Sequence, residues 1–185
     1  MEIKYFTMPF LIVTKIYLGI SFYLIAKQNI NDLVICANTK IINTPFSKNL
    51  CRGYLYSVRG TKNDIKSMQQ AGGISFVIGA AQTDSEKREL VKFFTTNGLN
   101  INGMDVHGIR PLQLAVLEGS IDDVRLLIEF GANPSLGEAK ISSTPLALAK
   151  QLHSEKKLQG NGDAIVAVLR SAVENAEQNT EASGD

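Results

Sequence analysis

The sequence predicts an all-α fold, a solenoid of about three to four helix pairs with short hairpin loops, preceded by an N-terminal hydrophobic segment. Three observations predict it. A helix tail followed by a glycine recurs at an offset of 33 residues: ELVKFFTTNGLNIN (89–102) aligns with DDVRLLIEFGANPS (122–135), matching Val91 to Val124, Gly98 to Gly131 and Asn100 to Asn133. Within the second stretch Val124, Leu127 and Ile128 fall at helical spacing on one stripe instead of alternating. The chain of 185 residues is 44% apolar, enough to bury a core.

The first element is residues 9–26, PFLIVTKIYLGISFYLIA, an apolar block interrupted only by Lys15. Lys4 and Lys15, the apolar stretch from Ile16 to Ala26 and the polar KQNIND after it fit a secretory signal peptide cleaved after Ala26. Leu24 is bulkier than the small residue preferred two positions before such a cut. Retention as a membrane anchor, with Lys15 snorkelling, is the alternative, and a helix buried in a soluble fold is a third. The first two readings place the remainder outside the cytoplasm, so the expected location is exported, periplasmic or envelope-associated, or anchored to the membrane through residues 9–26.

Residues 27–47 form a lead-in segment with a short apolar stretch, LVICA, and a turn signal at Thr44–Pro45. A cap on the first repeat is one role open to it. Cys36 and Cys51 close a loop if the compartment is oxidising and otherwise serve as two small apolar residues. Ile35 is branched where lipid attachment at Cys36 would require a small residue.

Residues 48–173 carry the repeats, and the clearest unit is DVHGIRPLQLAVLEGSIDDVRLLIEFGANPS (105–135). Gly108 suits a hairpin tip with positive φ, and Pro111 at the first helical turn loses no needed hydrogen bond. Leu112, Leu114 and Ala115 give the apolar face of the first helix, with Ala115 small enough for close approach of the second. Gly119 ends that helix, Ser120 and Asp123 cap the next, and Gly131 closes it through a left-handed cap. This unit resembles the ankyrin consensus at nearly every structural position, and its 33-residue period is that family's period.

Upstream, LYSVRGTKNDIKSMQQAGG (55–73) has Gly60 and Gly72 twelve apart, as are Gly119 and Gly131, and reads as a degenerate repeat. Its hairpin is missing, because GGISF passes directly into the helix ISFVIGAAQ. Downstream, SSTPLALAKQL (142–152) repeats the helix start and DAIVAVLRSAV (163–173) supplies a second helix, with HSEKKLQGNG (153–162) as a polar insertion. Residues 174–185, ENAEQNTEASGD, lack an apolar period and read as a flexible polar tail.

Chemistry-bearing patterns are sparse. No HExxH, paired CxxC, P-loop or dinucleotide fingerprint occurs, and the glycines of GGISFVIGAA match no phosphate loop. His107 and His153 are the only histidines, and DSEKRE (84–89) reads as the charged first turn of a solvated helix rather than acid–base machinery. No catalytic role, cofactor or metal is expected, and no small-molecule substrate.

The net charge is +1, and removing residues 1–26 leaves 17 basic and 17 acidic side chains, so nothing points to nucleic acid as partner. The resemblance implies protein binding through hairpin tips and the exposed edges of first helices. Those positions are Val106, His107, Ile109, Arg110, Leu117 and Glu118 in the clearest unit, with Glu138, Lys140, Ile141 and Gln151 in the last. Val106, Ile109 and Leu117 are expected to stand exposed as an apolar edge, and Arg110 to meet a partner carboxylate or to solvate the tip. Small exported ankyrin proteins resemble immunity proteins that cover the active site of a secreted toxin such as a lipase effector. The expected function is therefore a module, monomeric when free, that binds one protein partner, the alternative being an envelope or host-directed scaffold without inhibitory role.

Overall fold

Glycines and N-terminal prolines divide the sequence into segments rich in Leu, Ala, Lys, Glu and Gln, residues that lose little side-chain freedom in a helix. The structure, a computed structural model, describes residues 4–38, 48–137, 141–158 and 160–182, without the side chains of residues 4–11 and 179–182. Among the described residues every regular element is an α-helix: α1 (Lys4–Ala26), α2 (Ile30–Asn38), α3 (Lys48–Val58), α4 (Lys62–Gln70), α5 (Gly73–Ala80), α6 (Asp84–Thr96), α7 (Pro111–Leu117), α8 (Ile121–Glu129), α9 (Pro145–Ser154) and α10 (Gly162–Ala182).

The chain divides into two compact units, Met1–Arg59 and Gly60–Asp185. In the first, Asn29 caps α2 by accepting from the Asp32 N–H at 2.9 Å and donating to the Asp32 carboxylate. Leu33 and Val34 of α2 and Leu55 of α3 are fully buried, each worth about 1.5–3 kcal/mol. A Cys36–Cys51 disulfide joins the two helices, and the Arg59 guanidinium donates to the Gln28 carbonyl at 2.8 Å. The lead-in therefore supplies a helix. The division also lies at Arg59/Gly60 instead of the expected 47/48, because disulfide and core tie α3 to α2.

In the second unit α5 and α6, α7 and α8, and α9 and α10 form successive packed pairs. The first helices of the pairs touch in a row, α5 on α7 and α7 on α9, while α8 packs on α10. α4 packs on α5 with only Ala71 and Gly72 between them, as the missing hairpin at GGISF requires. Val77, Phe94, Val116, Leu127, Ile165 and Leu169 form the continuous core between the layers.

The ends of four helices in this unit, α6 to α9, share one geometry. After α8 the Gly131 N–H bonds the Ile128 carbonyl and the Ala132 N–H the Leu127 carbonyl, with Gly131 at φ 86°. The ends of α6 at Gly98 and α7 at Gly119 have the same pair of bonds. The end of α9 has it too, with Lys156 in the left-handed position at φ 57°. Beyond α9 the chain is held at two points: Leu158 is buried, and the Asn161 amide donates to the Gly119 carbonyl at 3.2 Å. The expected flexible tail is instead helical to Ala182, since Ala, Glu and Gln between 174 and 182 extend a helix already nucleated by the buried Ile165 and Leu169.

Candidate partner-binding surface

Between α6 and α7 the chain turns back through residues 97–110, and one carboxylate organises the turn. Asp105 Oδ1 accepts from the His107 N–H at 2.8 Å and the Ile109 N–H at 2.9 Å. The Asp105 N–H donates to the Ile109 carbonyl and the Gly108 N–H to the Asp105 carbonyl. Gly108 takes φ 75°, which the tight return requires. These four bonds place the side chains of Val106 and His107 at the tip. Val106 is 65% exposed, and His107 is exposed as well.

The base of the turn is fixed by side chains reaching backbone. Asn100 Oδ1 accepts from the Asn102 N–H, and Asn133, 33 residues on, accepts from the Ser135 N–H in the same manner. Asn102 Oδ1 accepts from the Asn133 N–H at 2.8 Å, joining the two turns. Arg110 is half-buried and donates to the Asn102 carbonyl at 2.7 Å, so at least part of its donor capacity closes the turn.

Gln113 is the residue that sequence reasoning missed. It is fully buried. Its amide nitrogen donates to the carbonyls of Ile141 and Ser143, both at 2.9 Å, and its oxygen accepts from the Arg110 N–H. The only sequence signal was a polar residue set between the buried Leu112 and Ala115 in RPLQLA. Through this amide the start of α7 and the segment before α9 are held side by side, which brings Ile141, half-buried, beside the clearest unit.

At the end of α7 Leu117 and the capping residue Glu118 are exposed, and on α9 so is Gln151. Gln151 donates to Glu155 at 3.0 Å, and hydrogen bonds from Lys157 and then Gln151 hold the Glu155 carboxyl below the usual carboxylate range. Ile109 is half-buried, so the apolar edge at the surface is carried by Val106, Leu117 and the neighbouring Met104. Glu138 and Lys140 lie outside the described residues.

A cavity of about 240 Å³ lies between α5 and α7, lined by Ser75, Ile78 and Gly79 on one side and Leu114 and Glu118 on the other. Lys87 and Asp123 also line it, joined at 2.6 Å. His107 is not among its lining residues. Asp123 also accepts from the Ser120 hydroxyl at 2.8 Å, while Ser120 caps α8. The DSEKRE cluster is accordingly used within the fold. Glu86 accepts from the Gln82 N–H while its own N–H donates to Thr83, Lys87 pairs with Asp123, and Arg88 pairs with Glu129, which raises the Arg88 pKa. Among the described residues no group of three or more His, Cys, Asp and Glu side chains is placed to hold a metal ion.

A scan against protein-family models gives no match, and a search of curated proteins gives none either.

Proposed function

We propose that the second unit is an ankyrin-type repeat module that binds one protein partner without catalysing a reaction. Its contact edge consists of the turn tip at Val106 and His107, Leu117 and Glu118 at the end of α7, and the flanking Ile141 and Gln151, with Glu138 and Lys140 assigned to it from sequence. The observation that carries this reading is the braced tip: four hydrogen bonds around Asp105 hold an apolar side chain 65% exposed where packing gives it no role. A preorganised apolar anchor lowers the ordering cost that a partner must otherwise offset. The ankyrin assignment is supported by the 33-residue spacing of the glycine caps and of the Asn100 and Asn133 turns, and by the row of first helices.

The disulfide supports an oxidising compartment, hence an exported or envelope-associated protein. A dedicated inhibitor fits a braced edge on a chain of small net charge that recognises by shape, and an immunity protein covering a secreted toxin is the form of that role we favour.

The test is isolation of the full chain from its native cells, followed by titration of the partner recovered with it. One partner at one-to-one stoichiometry is expected, with Val106→Asp and Leu117→Asp each weakening binding about tenfold or more, about 1.4 kcal/mol, at unchanged melting temperature. Several weak partners would identify a scaffold instead. Binding indifferent to both substitutions would remove this edge from the account.

A further inference from the structure

α1 presents nine exposed large apolar side chains between Ile12 and Leu24, and Lys15 is the one charged residue in that interval. At about 100° per residue they occupy most of the helix circumference. Ile12, Ile16 and Tyr23 lie together on one side, Val13, Tyr17, Ile20 and Leu24 on the next, and Leu18 and Phe22 beyond the remaining sector. That sector holds Ser21 and Ile25, which are 5% and 1% exposed. A helix apolar all round belongs in an apolar medium.

The C-terminal end of the same helix is built into its unit. Ile25 is among the fully buried side chains, and Phe22 meets the Tyr54 ring edge-on at 5.5 Å. The Lys27 and Gln28 N–H groups bond back to the Leu24 and Ile25 carbonyls, and the Gln28 carbonyl takes the Arg59 guanidinium. A cut after Ala26 would remove Ile25 from the core. It would also require a hydrogen-bonded helix end to be drawn out as extended chain.

We propose that α1 is retained in the mature protein and that its apolar residues are buried in the hydrocarbon of a lipid bilayer. The distribution of the side chains selects this occupant. A partner groove or a second copy of the chain covers one face of a helix and leaves the rest in water, whereas lipid covers every exposed sector at once. The charges agree with it: the Lys27 ammonium lies 4.6 Å from the Tyr23 ring centroid, the aromatic and cationic pair that a membrane–water interface accommodates, and Lys15 has a stem long enough to snorkel. Among the described residues no helix is long and apolar enough to cross a membrane, and insertion does not need a crossing. The inference is independent of what the second unit binds.

The experiment is flotation of the purified full chain with phosphatidylcholine vesicles, alongside determination of the N-terminus of the chain in its native cells. We expect flotation that persists in about 1 M salt, where surface charge is screened, and a native chain that begins upstream of Ile12. The double variant Ile16→Asp, Ile20→Asp should lower the vesicle-bound fraction at least about tenfold, because charge is excluded from hydrocarbon. Both positions are exposed, so the Cys36–Cys51 disulfide should still form, as read by resistance to alkylation. A chain that stays in the dense fraction, or floats only with anionic vesicles at low salt, overturns the proposal. So does a vesicle-free dimer dissolved by the same variant, or a native chain that begins at Lys27.

Discussion

Gln113 and Lys156 show how single residues hold the packed helix pairs together. Within the second unit Gln113 joins the start of α7 to the segment before α9 through two backbone carbonyls, so Gln113→Ala removes the donor to both and opens a gap. Its expected cost is about 2–3 kcal/mol, read as a lower urea midpoint. Lys156 occupies the left-handed position that glycine fills after α6, α7 and α8, at φ 57°. Lys156→Gly should therefore stabilise the protein by about 0.5–1 kcal/mol, seen as a higher melting temperature. The glycine caps were legible because only glycine meets that backbone demand freely. Lys156 was not, because a lysine in a polar insertion gives no sign of its φ. Gln113 was not legible either: a single polar residue within a helix start looks the same whether it faces water or a neighbouring turn.

Among the elements, the all-helical class was readable from the glycine-marked helix tails, and the helix ends at Gly98, Gly119 and Gly131 fall where expected. Two elements departed from expectation for reasons of propagation and cross-linking. α10 runs to Ala182 because helix extension needs only favourable propensity once a buried stretch has nucleated it. α3 sits with α2, a consequence of a disulfide whose formation the spacing of two cysteines left open. Replacing both with serine, Cys36→Ser and Cys51→Ser, reopens a loop of sequence separation 15 and should cost the first unit about 3 kcal/mol. Amide exchange should rise in α2 and α3 and stay unchanged in α7 and α8, which belong to the other unit. An equal rise in both units would show that they unfold as one.

For the whole molecule, the exposure of the residues proposed as a contact edge was legible in part. Val106, His107, Leu117, Glu118 and Gln151 are exposed as expected, while Ile109, Arg110 and Ile141 are half-buried and help to shape the turns. The charged cluster DSEKRE was read as solvated, yet the Glu86 carboxylate accepts from the Gln82 N–H ahead of α6 and Lys87 reaches Asp123 across to α8. Such pairings depend on how helix pairs stack and not on local spacing. The central claim is that a braced edge on the second unit binds one protein. Hydrogen exchange of the full chain, with and without its isolated partner, tests it most directly. The account predicts slowed exchange in residues 104–118 and 141–151 on binding, and no change along the outer helices at 84–88 and 122–126. Protection confined to those outer helices, or no protection anywhere in the second unit, would contradict it.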